Sequence, residues 1–171
     1  SSSPAPTSSA SASADPSSEP TPTEAPSEQP DLGEAAPECA DVLSADDVYA
    51  FNPNYSAVAA PTPAAGSPLA EAVDLGGRVC RWSNDTNSSP IDVAVAIPAE
   101  GDYERLLDET ASSSTAAPDL GGDAAYFDVV GDSGVAQVFA DGRWVVVSSP
   151  FFGEAADAGE IMSPILENLG L

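Results

Sequence analysis

Basic side chains are scarce in this sequence, so each of them is a candidate for chemistry. The chain has four Arg, no Lys and no His among its 171 residues. A guanidinium binds carboxylates or phosphates through paired N–H groups, and an indole ring stacks on ligands. A possible ligand or partner surface consists of Arg78, Arg81, Trp82, Arg143 and Trp144. The alternative is that these Arg side chains pair with neighbouring carboxylates, and that the Trp rings pack in the core.

One short motif looks catalytic but lacks its chemical partners. The sequence Gly131-Asp132-Ser133-Gly134 resembles the segment around the nucleophile of a serine protease. The chain has no His to act as the base and no Lys for a Ser–Lys variant. We therefore interpret the motif as a hairpin turn, and we predict no catalytic residue, no cofactor and no metal site.

Carboxylates are abundant, so their proximity in sequence says little. Neighbouring pairs are Asp46/Asp47, Glu100/Asp102 and Asp108/Glu109. Acids at the start of a helix interact favourably with its dipole, which accounts for these pairs without chemistry. Two carboxylates in a cleft can also hydrolyse a glycosidic bond. A carboxylate-based hydrolase of the cell envelope is therefore the alternative to a protein without enzymatic activity.

The charge of the chain excludes one class of partner. Twenty-eight acidic residues against four basic ones give a net charge of −24. Such a surface repels phosphate backbones and anionic lipid headgroups, so we expect no nucleic acid as a partner. The acidic residues either keep the protein well solvated or attract a cationic partner. The sequence contains no Asp-x-Asp-x-Asp-Gly loop that would indicate a calcium site.

Composition divides the chain into a leader and a domain. Residues 1–37 contain ten Ser and eight Pro but no aromatic residue, so we predict a disordered Ser/Pro/Ala-rich tether. Residues 38–171 are predicted to form a single α+β domain. Leaders of this kind follow the acylated Cys of bacterial lipoproteins, so we infer a removed signal peptide and an N-terminal lipid anchor. The even Cys count and the leader together predict one disulfide, Cys39–Cys80.

The hydrophobic pattern predicts an antiparallel sheet of about five strands, with helices packed on one face. Strands are expected at 78–83, 91–97, 124–130, 134–140 and 143–149, and helices at 45–51, 102–110 and 154–168. Ser44 and Asp47 form a capping box at the first helix, Asp141-Gly142 indicates a type I′ hairpin, and Pro164 is expected to kink the last helix. The remaining segment, 52–77, is interpreted as a long loop that is either a binding loop or an inert insertion.

Four short motifs carry a resemblance to a family. They are Cys39 with Val42-Leu43-Ser44-Ala45-Asp46-Asp47-Val48, then Cys80-Arg81-Trp82, Leu120-Gly121-Gly122-Asp123-Ala124-Ala125 and Gly142-Arg143-Trp144-Val145. Over residues 37–171 the chain resembles actinobacterial secreted lipoproteins of unknown function, the mycobacterial Lpq/Lpp type among them. The resemblance implies export, a disulfide and an α+β domain, but no activity.

These inferences together predict an extracytoplasmic protein at the cell surface, lipid-anchored or secreted. We expect a monomeric, non-enzymatic module that binds an envelope protein or a small ligand. Contact with the membrane is expected only through the N-terminal anchor.

Overall fold

The computed structural model describes residues 35–171, so residues 1–34 of the predicted tether lie outside the described residues. The helices are α1 (Cys39–Val42), α2 (Ala45–Phe51), α3 (Pro68–Asp74), α4 (Glu100–Ser113) and α5 (Ala155–Leu169). The strands are β1 (Tyr55–Val58), β2 (Arg78–Asn84), β3 (Pro90–Ala96), β4 (Thr115–Ala116), β5 (Ala124–Val130), β6 (Ser133–Ala140) and β7 (Arg143–Ser149). A short 3₁₀ helix, Pro118–Leu120, lies between β4 and β5.

All seven strands belong to one antiparallel sheet, in the order β1-β2-β3-β7-β6-β5-β4. The α+β class is therefore confirmed, but residues 35–171 contain seven strands and not about five. The chain leaves the sheet after β3, runs through α4 to the far edge at β4, and returns strand by strand until β7 pairs with β3. This connection places α4 across the sheet.

Helices cover both faces of the sheet, so the prediction of helices on one face was wrong. On the first face, α1, α2 and α5 bury strand residues such as Val93 and Val145. On the second face, α3 and α4 bury the alternate residues, among them Ala94, Trp144 and Val146. Successive side chains of a strand point to opposite faces, so a strand covered on both sides buries nearly every residue.

The predicted loop 52–77 contains two regular elements. Its first part forms the edge strand β1, in which only Tyr55 is buried. Its second part forms α3, which begins with the side chain of Ser67 accepting a hydrogen bond from the N–H of Ala70, and with Pro68 in the first turn. A Ser cap followed by Pro is a common start of a helix.

Several local predictions are confirmed. Asp47 accepts a hydrogen bond from the N–H of Ser44, and Ser44 Oγ accepts one from the N–H of Asp47, which completes the capping box. Asp141 and Gly142 have φ angles of 46° and 73°, as a type I′ turn between β6 and β7 requires. The predicted C-terminal helix is α5, which continues past Pro164.

The predicted disulfide is present. It joins Cys39, the first residue of α1, to Cys80 in β2, with 5.6 Å between the two Cα atoms. The bond fixes α1 to the first face of the sheet. No helix in the described part of the chain is long and apolar enough to cross a membrane.

Candidate functional site

The second face of the sheet carries a cleft between α3 and α4. It measures about 440 Å³, within the usual range of small-molecule sites, about 300–1,000 Å³. Its floor includes Val135 and Gln137 of β6 and Trp144 of β7. We call it the main cleft. A side cleft of about 380 Å³ lies next to it, since Pro68 and Val130 line both.

Polar residues are buried at the base of the main cleft. Gln137 is 8% exposed and Thr110 is 7% exposed, and both line the cleft. Gln137 stands between Tyr126 and Val146 in the register of the sheet. None of the side-chain hydrogen bonds among residues 35–171 includes the Gln137 amide. Gln137 is not among the fully buried unpaired polar atoms, so its amide reaches the space of the cleft and is available to a ligand.

The indole of Trp144 adds a second group without a partner. Its side chain is 1% exposed and stacks on Phe139, with 5.9 Å between the ring centroids. Among the described residues, Nε1 of Trp144 is a buried donor without an acceptor. Buried indole N–H groups usually find a partner. Trp144 therefore packs into the floor of the cleft with its Nε1 atom covered, whereas the amide of Gln137 remains open to the cleft.

Carboxylates surround the main cleft. Glu71 of α3 and Glu109 of α4 line it, and Nη1 of Arg105 donates to both, at 3.2 and 2.9 Å. The hydrogen bond to Glu71 is the largest influence on Arg105 and raises the pKa of its guanidinium. Asp128 of β5 also lines the cleft, and its Oδ1 accepts hydrogen bonds from the N–H and hydroxyl of Thr115.

The side cleft contains an ion pair. Arg81 donates to Asp92 from Nε and Nη2, at 2.5 and 2.7 Å, and the hydrogen bond to Asp92 raises the pKa of Arg81. Asp92 is buried at 9% exposure, and Ser148 lies beside the pair in the cleft lining. The two charges neutralise each other, so the side cleft offers a polar but balanced surface.

The five residues of the predicted ligand surface do not lie together. Arg81 and Trp144 line the two neighbouring clefts on the second face. Trp82 is buried on the first face, in a separate groove beside the disulfide. Arg78 pairs with Glu38, and Arg143 donates to the backbone oxygen of Leu169 at the end of α5. Two of the five predicted residues therefore line adjacent clefts, and the other three lie elsewhere.

Sequence reasoning missed the remaining residues of the main cleft. Gln137 is the one strongly polar residue inside the apolar strand β6, and that pattern is a signal which could have found it. Glu71 is not found from the sequence, because the pattern predicts a loop where α3 lies. Residues 61–71 of segment 52–77 form one wall of both clefts. The role of this segment in binding remains a prediction, and these residues are the part of it that would contact a ligand.

The described residues contain no cluster of three His, Cys, Asp or Glu side chains suited to a metal ion. No protein-family model, no curated protein and no solved structure matches the chain. The resemblance to actinobacterial secreted lipoproteins therefore stays a prediction, and the clefts are the basis for a functional proposal.

Proposed function

We propose that the protein is an exported, non-enzymatic binding module of the cell envelope, and that the main cleft is its ligand site. The observation that carries the proposal is the position of Gln137, a residue only 8% exposed whose amide has no side-chain hydrogen bond among the described residues and lines the main cleft. A site for a ligand is the function that accounts for its position.

The chemistry of the site supports binding over catalysis. The chain has no His or Lys, the side chains that most often act as general bases or amine nucleophiles near neutral pH. Glu71 and Glu109 are each paired with Arg105, and Asp92 is paired with Arg81. Each of these carboxylates is therefore engaged by a guanidinium of the domain itself.

Export and anchoring belong to the same proposal. The disulfide supports an oxidising compartment, and the Ser/Pro-rich sequence of residues 1–37 supports a tether between an N-terminal lipid anchor and the domain. Labelling of the native cells with a clickable fatty acid tests the anchor. Recovery of the fatty acid on the protein in the membrane fraction is expected, and an unlabelled protein found in the cytoplasm would contradict it.

Binding is tested by NMR on the ¹⁵N-labelled protein. The chain has two Trp residues, so two indole N–H signals are expected, and Trp82→Phe identifies the one from Trp144. The probes are a Lys-Ala-Lys peptide, an Ala-Ala-Ala peptide, spermidine and a neutral trisaccharide. A probe that occupies the main cleft should move the Trp144 signal saturably and leave Trp82, on the opposite face, unchanged.

The matched variant is Gln137→Leu, which keeps the size of the side chain but removes its amide. We expect Gln137→Leu to weaken any probe that moves the Trp144 signal. The proposal is wrong if no probe moves that signal at millimolar concentration, or if Gln137→Leu leaves the binding unchanged. Cleavage of a probe in the same sample would contradict the proposal and favour the alternative, a carboxylate-based hydrolase.

A further inference from the structure

The main cleft combines negative charge with an apolar wall. Its lining includes three carboxylates, which come from α3, α4 and β5: Glu71, Glu109 and Asp128. Beside them lie Pro68 and Leu106, and Val130 and Val135 extend the apolar surface along the sheet. The 22 acidic and four basic residues of 35–171 give this part of the chain a charge of 4 − 22 = −18. A field of this sign attracts cations toward the cleft.

The carboxylates keep free oxygens for a ligand. Arg105 bonds to Oε1 of Glu71 and Oε2 of Glu109, while Thr115 bonds to Oδ1 of Asp128. The other carboxylate oxygens have no hydrogen-bond partner among the described residues. Arg105 also shows that a guanidinium fits between the acidic side chains of α3 and α4.

The negative charge of the cleft would attract any small cation. The base of the cleft adds hydrogen-bonding groups, which a simple cation does not satisfy. The amide of Gln137, which lines the base of the cleft, offers both a donor and an acceptor. A peptide backbone supplies carbonyl acceptors and N–H donors together. The aliphatic stem of a Lys or Arg side chain can lie along Pro68 and Leu106 while its charged end reaches a carboxylate.

We propose that the main cleft binds a peptide segment that contains a Lys or Arg side chain. This inference rests on the proposed function, because it names the ligand class of the same site. The backbone of the peptide bonds to the amide of Gln137, and its basic side chain pairs with Asp128 and Glu109. A segment of two or three residues suits a cleft of about 440 Å³.

The test compares the dissociation constants of Lys-Ala-Lys, Ala-Ala-Ala and spermidine, each measured from the Trp144 indole signal. The variants Asp128→Asn and Glu109→Gln remove one charge from the cleft. Glu104→Gln is the control, because Glu104 is exposed on α4, outside the cleft lining, and loses the same charge. Two cleft variants keep the test valid if one of them folds poorly.

Lys-Ala-Lys should bind more tightly than either other probe. Each cleft variant should raise the dissociation constant of Lys-Ala-Lys about tenfold, which corresponds to the loss of a charge-assisted hydrogen bond. Glu104→Gln should change that constant by less than about twofold. If spermidine binds as tightly as Lys-Ala-Lys, the peptide backbone is not recognised. If Ala-Ala-Ala binds as tightly as Lys-Ala-Lys, the positive charge is not recognised. Either result overturns the inference and leaves the proposed function standing. Failure of every probe to move the Trp144 signal overturns both.

Discussion

Arg81 and Asp92 lie directly opposite each other on β2 and β3, and two parallel hydrogen bonds join them. The two partners are buried unequally, because the side chain of Arg81 is 33% exposed and that of Asp92 only 12%. Removal of one partner therefore has a different cost from removal of the other. An unpaired Arg81 side chain is still hydrated, whereas an unpaired Asp92 carboxylate is largely shielded from water.

The first prediction follows from this asymmetry. Arg81→Met should lower the free energy of unfolding by about 3 kcal/mol, because it leaves a buried carboxylate without its partner. Asp92→Asn should cost about 1 kcal/mol, since the amide keeps the shape and can still accept a hydrogen bond from Arg81. Urea unfolding at pH 7 measures both values. Equal losses in the two variants would contradict the inference from burial.

The second prediction concerns the disulfide. Its half-cystines are 41 residues apart, and a loop of that length gives about 4 kcal/mol of stabilisation in the chain-entropy model. Replacing Cys39 and Cys80 together by Ala should lower the unfolding free energy by about that amount. The native protein should react with a thiol reagent only after denaturation and reduction. Two thiols that react without reduction would show that the bond does not form.

The third prediction is a pH dependence at Asp47. Hydrogen bonds from Ser44, and then from Asn168, lower the pKa of Asp47 below its ordinary value of 3.8. A lowered pKa adds stability that is present above the ordinary value and is lost as the pH falls through the lower, folded value. Asp47→Asn should therefore cost up to about 1 kcal/mol at pH 7, the usual size of a cap, and nothing in strong acid.

The control for this experiment is Asp46→Asn, which removes the same charge from the exposed position next to it. Thermal unfolding is measured from pH 7 down to pH 2. The difference in melting temperature between Asp47→Asn and the native protein should disappear below pH 3.8. Asp46→Asn should differ little from the native protein over the whole range. A constant difference across this range would mean that the carboxylate charge plays no part.

The fourth prediction tests how closely α3 packs on the sheet. A Cβ atom at Gly77 would lie 2.5 Å from the backbone oxygen of Ala72 and 2.7 Å from that of Val95. Since backbone atoms cannot move aside easily, Gly77→Ala should cost about 2 kcal/mol or more. Gly101→Ala is the control: it lies in α4 with open space around it and should stabilise the helix by about 0.5 kcal/mol. Similar melting temperatures for the two variants would contradict the close packing.

The sequence predicted the central strands well because their signals are local. Strands β2, β3, β5, β6 and β7 alternate in hydrophobicity or end in strong turns such as Asp141-Gly142. The second face was missed for a physical reason. Ala94 and Ala96 are only weakly hydrophobic, so the pattern of β3 predicts cover on one side. Only the packing of α3 and α4 shows that both residues are fully buried.

The two missed strands lie at the edges of the sheet. In β1 only Tyr55 is buried, and β4 is two residues long with both residues exposed, so neither shows a hydrophobic alternation. The main cleft depends on long-range geometry in the same way. Trp144 was predicted as part of a ligand surface, but its neighbours Gln137, Thr110 and Glu71 come from three other elements, and no sequence spacing connects them.

The disulfide also decides how the domain responds to mechanical force. A pull on the chain N-terminal to Cys39 passes through the covalent bond into Cys80 and hence into β2, an inner strand held by β1 and β3. The chain between these two residues, including α2, β1 and α3, lies within the closed loop and bears no tension. The wall that α3 contributes to the main cleft therefore keeps its shape while the leader is stretched, and reduction of the bond would expose α1 to the pull first.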